Sequence, residues 1–173
     1  MNIVLFEPEI PQNAGNIART CAATNSSLHL IKPLGFSLED KYVKRAGLDY
    51  WHLVEVYTYE DFGIFMQKNP QGRMHFLSTK GEKSYSEVTY DENDFLIFGS
   101  ETKGLPESLL ERVYPQTIRI PMIEEARSLN ISNAVAIVLY EALRQNQYRF
   151  LKKDGQLTGR KDPIAPWMEK LSD

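Results

Sequence analysis

The run IVLFEPEIPQNAGNIARTCAA, residues 3–23, changes its hydrophobic period partway along. Ile3–Phe6 is a continuous apolar stretch of strand length, and Pro8 with Pro11 enforces an extended connection after it. Ala14, Ile17, Ala18, Cys21 and Ala22 then fall at i, i+3, i+4, i+7 and i+8, the spacing of one apolar helix face. Asn16, Arg19 and Thr20 occupy the opposite face. The same alternation recurs downstream. Strands are predicted at Leu28–Ile31, Leu53–Tyr57, Met74–Ser78, Phe95–Phe98 and Thr117–Ile120. Helices are predicted from a capping box at Ser37–Asp40, from Thr58 and Asp61 to about Lys68, over Pro106–Val113, and from Asn130 or Ser132 to about Phe150. Strands alternating with helices through short links give a single α/β domain, a mainly parallel sheet with helices on both faces.

Bulk properties agree. A chain of 173 residues suits one domain that buries about 70% of its unfolded surface. A hydrophobic content of 42% and a charged content of 25% are ordinary for a globular protein. No apolar run reaches membrane-spanning length, the first residues lack a signal-peptide pattern, and Cys21 is the single cysteine, so a cytoplasmic protein without disulfides or a membrane partner is expected. A net charge of −3 gives no global attraction for nucleic acid, so any such binding needs a local basic patch. Residues 151–173, charged and punctuated by Gly and Pro, read as a flexible tail beyond a domain of residues 1–150.

Three polar, glycine- or asparagine-bearing clusters follow strand-like runs: Pro11–Arg19, Phe98–Pro106 and Arg127–Asn133. Ligands in α/β folds collect outside the carboxyl ends of strands, where such clusters sit, so the three are expected to form one composite site. The second resembles the start of a phosphate-binding loop, but Leu105–Pro106 stands where Lys-Ser/Thr is required. The dinucleotide fingerprint is missing after the first strand. No His/Cys spacing suits zinc, so no metal is expected, and His29, His52 and His75 read as surface or satisfied interior groups. Cys21 reads as core packing. Two readings stand for Asn16 and Arg19: a solvated face, or an anion contact through the guanidinium fork, since an arginine near a helix start opposes the macrodipole. The third cluster reads either as a helix cap or as donors and acceptors for a small molecule.

Residues 9–19, 98–106 and 128–140 resemble, in order, the three motifs of the SPOUT superfamily of RNA methyltransferases. The likeness is greatest to its small branch, which methylates the ribose 2′-OH of a wobble cytidine or uridine in certain leucine tRNAs. It covers about residues 1–150. The resemblance implies a C-terminal deep trefoil knot, against the usual topological rule, a homodimer, and S-adenosylmethionine as cofactor. Mapped here, the cofactor loops would be 77–79, 99–104 and 120–129, with Leu77, Ser78, Thr79, Gly99, Glu101, Gly104, Ile120, Ser128 and Leu129 as contacts and Asn130 shaping the loops. Gly99 is expected to let the ligand approach the main chain. Arg19, with Asn16 beside it, would be catalytic. An arginine is a poor base, so Arg19 is read first as an organiser of phosphate and the developing alkoxide, and proton acceptance is left open.

Positive charge for RNA, here the anticodon stem-loop, is expected from Lys41, Lys44 and Arg45 and from Arg144, Arg149, Lys152 and Lys153. Tyr50, Trp51 and Tyr140 could stack on unpaired bases. Ile137 and Tyr140 lie away from the core stripe of the last helix, which makes that helix the expected dimer contact. Two alternatives are carried: a catalytically silent RNA-binding dimer, and a 2′-O-methyltransferase acting on another tRNA or rRNA site.

Overall fold

The structure, a computed structural model, describes residues 1–38 and 51–159. Its elements run β1 (Asn2–Phe6), α1 (Pro11–Thr24), β2 (Ser27–Ile31), β3 (Val56–Tyr59), α2 (Phe62–Lys68), β4 (Met74–Leu77), β5 (Lys83–Ser84), β6 (Phe95–Phe98), α3 (Glu107–Arg112), β7 (Thr117–Arg119) and α4 (Ile131–Gln145). Short 3-10 turns lie at Trp51–Leu53 and Tyr114–Gln116. The strands form one seven-stranded sheet ordered β3-β2-β1-β6-β4-β7-β5, parallel throughout.

A parallel sheet covered on both faces needs apolar side chains on both, which is why β1 and β6 read as unbroken hydrophobic runs. Alternate residues go to opposite layers. Ile3, Leu5, Leu28, Leu30, Leu96 and Phe98 pack with Ile17, Ala18 and Cys21 of α1 and Val135, Val138, Leu139 and Ala142 of α4. Val4, Ile31, Phe76 and Ile97 pack with Phe65 of α2 and Leu110 of α3 on the other face.

Several boundaries differ from the sequence reading. The third strand is Val56–Tyr59, paired from Leu28↔Val56 to Ile31↔Tyr59, and not 53–57. Tyr59 is buried, whereas Leu53 is 56% exposed in the preceding turn. α1 begins at Pro11 itself, the favoured first helical position for proline, with Ile10 as N-cap. Arg19 therefore lies beyond the first turn, and the macrodipole argument does not reach it. α4 stops at Gln145 and does not reach Phe150. Asn146 Nδ2 takes the carbonyl of Ala142 at 2.8 Å and that of Tyr90 at 3.0 Å, and Gln147 and Tyr148 turn left-handed behind it. The Asp61 cap of α2 forms as read, accepting from the Ile64 N–H at 2.8 Å. The capping box at 37–40 extends outside the described residues. The nine described residues of the tail, 151–159, hold no helix or strand.

His29 and His75 are satisfied interior groups. His29 Nδ1 meets the Tyr59 hydroxyl at 2.9 Å within a cage of aromatic rings, and His75 Nε2 meets Asp94 Oδ2 at 2.8 Å. Burial pushes the His29 imidazole down to about 4. The unfolded chain then binds a proton that the folded chain refuses, so stability is full above the unfolded value of about 6.5 and falls as pH drops toward 4. His29 alone is expected to remove about 2 kcal/mol between pH 7 and pH 5. Urea unfolding at the two pH values checks this, and the loss should be smaller in His29→Gln.

Candidate active site

Four neighbouring strands, β1, β6, β4 and β7, send their carboxyl-terminal loops to the same edge of the sheet. The loop after β1 and the start of α1 meet the loop after β6 through a carboxylate. Glu101 accepts from the Glu9 N–H at 2.8 Å, the Ile10 N–H at 3.2 Å and Asn13 Nδ2 at 3.0 Å. Glu9 reciprocates, its carboxylate accepting from the Thr102 hydroxyl at 2.7 Å and the Thr102 N–H at 3.2 Å. The third cluster joins through Asn130, whose Nδ2 donates to Asn13 Oδ1 at 3.0 Å while its own Oδ1 caps α4 at the Ser132 N–H. Asn13, only 7% exposed, thus bridges all three clusters. Its amide can be oriented only one way, because the Glu101 carboxylate accepts and cannot donate.

The loop after β6 folds back on itself. The Gly104 N–H donates to the Ser100 carbonyl at 2.9 Å, and Gly104 has φ +69°, a left-handed conformation natural to glycine. A Cβ placed on Gly99 would lie 2.1 Å from the carbonyl carbon of Gly104 and 2.2 Å from the Leu105 nitrogen. The close approach at Gly99 is therefore made by the loop's own backbone, a different reason for glycine from the ligand contact read in the sequence.

These loops enclose a cavity of about 590 Å³, within the range of small-molecule sites. Leu77, Ser78, Thr79, Gly99, Glu101, Gly104, Ile120, Ser128 and Leu129, the contacts named from the resemblance, line it, as does Asn130. Asn16 and Arg19 do not; both are exposed on α1 outside it. Lys41, Lys44 and Arg45 lie outside the described residues. Arg144 makes a two-pronged pair with Glu141, at 2.8 and 2.9 Å, that offsets its charge. Asn13 and Lys80 also line the cavity without standing out in the sequence, as do Met122 and Arg127, which the sequence places in the 120–129 loop without marking them as contacts. Asn13 carried a signal, since it lies four residues before Ile17 on the apolar side of α1, and a polar residue there must have a partner. Asn16 stands out in the sequence instead because it shares the polar face with Arg19.

Removing the bridge has a measurable consequence. Asn13→Ala withdraws one donor from Glu101 and leaves Asn130 Nδ2 without its acceptor, a loss of about 1–3 kcal/mol. Equilibrium unfolding at neutral pH measures it, and an unchanged midpoint would contradict the bridging role.

The match to known proteins is extensive. The model of the SpoU rRNA Methylase family matches residues 1–140. A protein of Escherichia coli strain K12 named tRNA (cytidine(34)-2′-O)-methyltransferase is 51% identical over 150 residues, spanning 86% of this chain and 95% of its own. The protein of that name from Saccharophagus degradans is 51% identical over 145 residues, 83% of this chain and 94% of its own. A solved structure described as giving insight into 2′-OH methylation of C/U34 on tRNA superposes with TM-score 0.81 at 47% identity, covering 86% of this chain and 97% of that one. An rRNA methyltransferase from Sinorhizobium meliloti solved with bound AdoMet superposes with TM-score 0.73 at 25% identity, over 83% of this chain and 55% of that one. The gathered loops and these matches agree: the chain belongs to the SpoU rRNA methylase family and is a methyltransferase.

Proposed function

We propose that this protein methylates the ribose 2′-oxygen of the wobble cytidine or uridine of tRNA, in leucine tRNAs, with S-adenosylmethionine as donor, as a cytoplasmic homodimer. The observation that carries the reading is the Asn13 bridge, which holds three separate motifs around one cavity. The relatives named for cytidine 34 support the substrate, and the AdoMet-bound relative supports the donor.

The cavity suits that donor. Apolar walls from Leu77, Leu105, Ile120 and Leu129 fit a purine ring, and the polar groups of Ser78, Thr79 and Ser128 fit its ribose and amino-acid ends. When bound there, S-adenosylmethionine supplies an electrophilic methyl group on sulfur. The chain's own task is positional. Fixing the attacking oxygen in line is worth roughly 7–11 kcal/mol of the barrier. Arg19 lies ~9 Å along α1 from the cavity-lining Asn13, at the 1.5 Å rise per residue of a helix. There it orients the ribose and stabilises negative charge building on its oxygen, with Asn16 one turn away as a neighbouring hydrogen-bond partner.

The dimer reading rests on Ile137 and Tyr140 of α4, 37% and 46% exposed on the face opposite the core. The knot is inferred from membership of the family. Incubation with unmodified total tRNA and methyl-labelled cofactor, followed by nucleoside analysis, tests the function. Ribose-methylated cytidine or uridine at the wobble position of leucine tRNAs is expected. Label on a base, or on ribosomal RNA alone, overturns it.

A further inference from the structure

The basic side chains near the end of α4 fall into two kinds. Arg144 is neutralised by Glu141 on its own helix. Arg149 instead gives one nitrogen to Glu92 at 3.1 Å, and its guanidinium carbon lies 5.3 Å from the centre of the Phe150 ring. Among the described residues, the remaining guanidinium nitrogens of Arg149 donate to no protein acceptor. Phe150 is 84% exposed. Lys152 and Lys153 follow it, both exposed.

This exposure is built by the chain's turn and is not a frayed end. The Tyr148 N–H closes on the Leu143 carbonyl at 2.8 Å, and Gln147, Tyr148 and Phe150 have φ of +57°, +52° and +68°. Left-handed backbone is uncommon for bulky side chains, so these interactions maintain a disfavoured reversal that leaves the ring in solvent. Beside it opens a groove of about 530 Å³ lined by Gln145, Arg149, Phe150 and Lys153, among others.

An exposed ring already flanked by a guanidinium, with two lysines next to it, fits a polyanion that carries flat aromatic groups. A purely apolar partner would leave Lys152 and Lys153 buried without counter-charge. We infer that Arg149 and Phe150 form a stacking platform for an unpaired nucleobase of the RNA substrate, with Lys152 and Lys153 on the adjacent phosphates. The inference rests on the tRNA reading above and adds a second contact to it. α4 spans its 15 residues between the cavity, at Ile131, and the platform. At 1.5 Å per residue that separation is ~22 Å. The platform therefore holds the substrate well away from the nucleotide being modified.

Steady-state methylation of full-length tRNA and of a short-stem hairpin bearing the same loop tests it. In Phe150→Ala, KM for full-length tRNA is expected to rise roughly tenfold, with kcat and cofactor affinity unchanged. Phe150→Trp should restore the wild-type KM, and the hairpin, too short to reach the platform, should show no difference between variants. Equal KM for Phe150→Ala and wild type on full-length tRNA overturns the inference, and so does dissociation of the protein into monomers, which would make Phe150 a subunit contact. Should the wild-type protein methylate no tRNA, the functional reading fails separately. Anisotropy with a labelled single-stranded oligonucleotide then decides the platform: weaker binding by Phe150→Ala supports it, and unchanged binding refutes it.

Discussion

Arg19→Ala is expected to lower methyl-transfer turnover about 10²–10³-fold, the usual loss when one preorganised donor to a developing oxyanion is removed. Arg19 is exposed on α1 and does not line the cavity, so affinity for S-adenosylmethionine should stay within about twofold of wild type, well under 1.4 kcal/mol. This split separates an organiser of the ribose from a residue that holds the cofactor. Arg19→Lys sharpens the test. A lysine keeps the charge but loses the planar fork, so only a small part of the turnover should return if two-point contact matters. Single-turnover kinetics with saturating cofactor, beside calorimetric titration of the cofactor, measures both quantities. Full turnover in Arg19→Ala would remove the residue from the chemistry.

Gly99→Ala is expected to act in the opposite way, abolishing cofactor binding. The added methyl would lie 2.1 and 2.2 Å from main-chain atoms of Gly104 and Leu105, and main chain cannot swing aside as a side chain does. The loop from Ser100 to Gly104 must open to admit it, which breaks the 2.9 Å Gly104–Ser100 hydrogen bond and shifts Glu101, the anchor for Glu9, Ile10 and Asn13. A cofactor affinity at least about 100-fold weaker corresponds to ~2.7 kcal/mol, within the range for forcing extra volume into a packed site. Calorimetry shows it directly. Wild-type affinity in Gly99→Ala would mean that the closed loop is not what shapes the cavity.

The two substitutions also mark how far the sequence could be read. β1 and α1 were legible because a two-sided buried strand and a one-sided helix carry different periods, and Ile3–Phe6 and Ala14–Ala22 show them cleanly. The lining of the cavity was legible through the likeness of the motifs, which named residues that the fold gathers around it. β3 was misplaced because it is an edge strand. Tyr57 and Thr58 are exposed and Tyr59 is buried, so its apolar content does not mark its core face. The end of α4 was misplaced because Gln147–Phe150 has no glycine or proline to stop a helix. The stop comes from Asn146 reaching Tyr90, distant in sequence, and such a contact leaves no local signal. Asn13 was overshadowed by Asn16 for a related reason: helical spacing shows which residues share a face, but the partners of that face come from Glu101 and Asn130.

The most direct test of the account is a crystal structure with S-adenosylhomocysteine, the demethylated cofactor. The ligand is expected in the cavity, touching the loops of Leu77–Thr79, Gly99–Gly104 and Ile120–Leu129 at once, with its sulfur facing the side from which Arg19 approaches. A ligand held by one of these loops alone, or bound elsewhere on the protein, would contradict the claim that the three motifs are a single site.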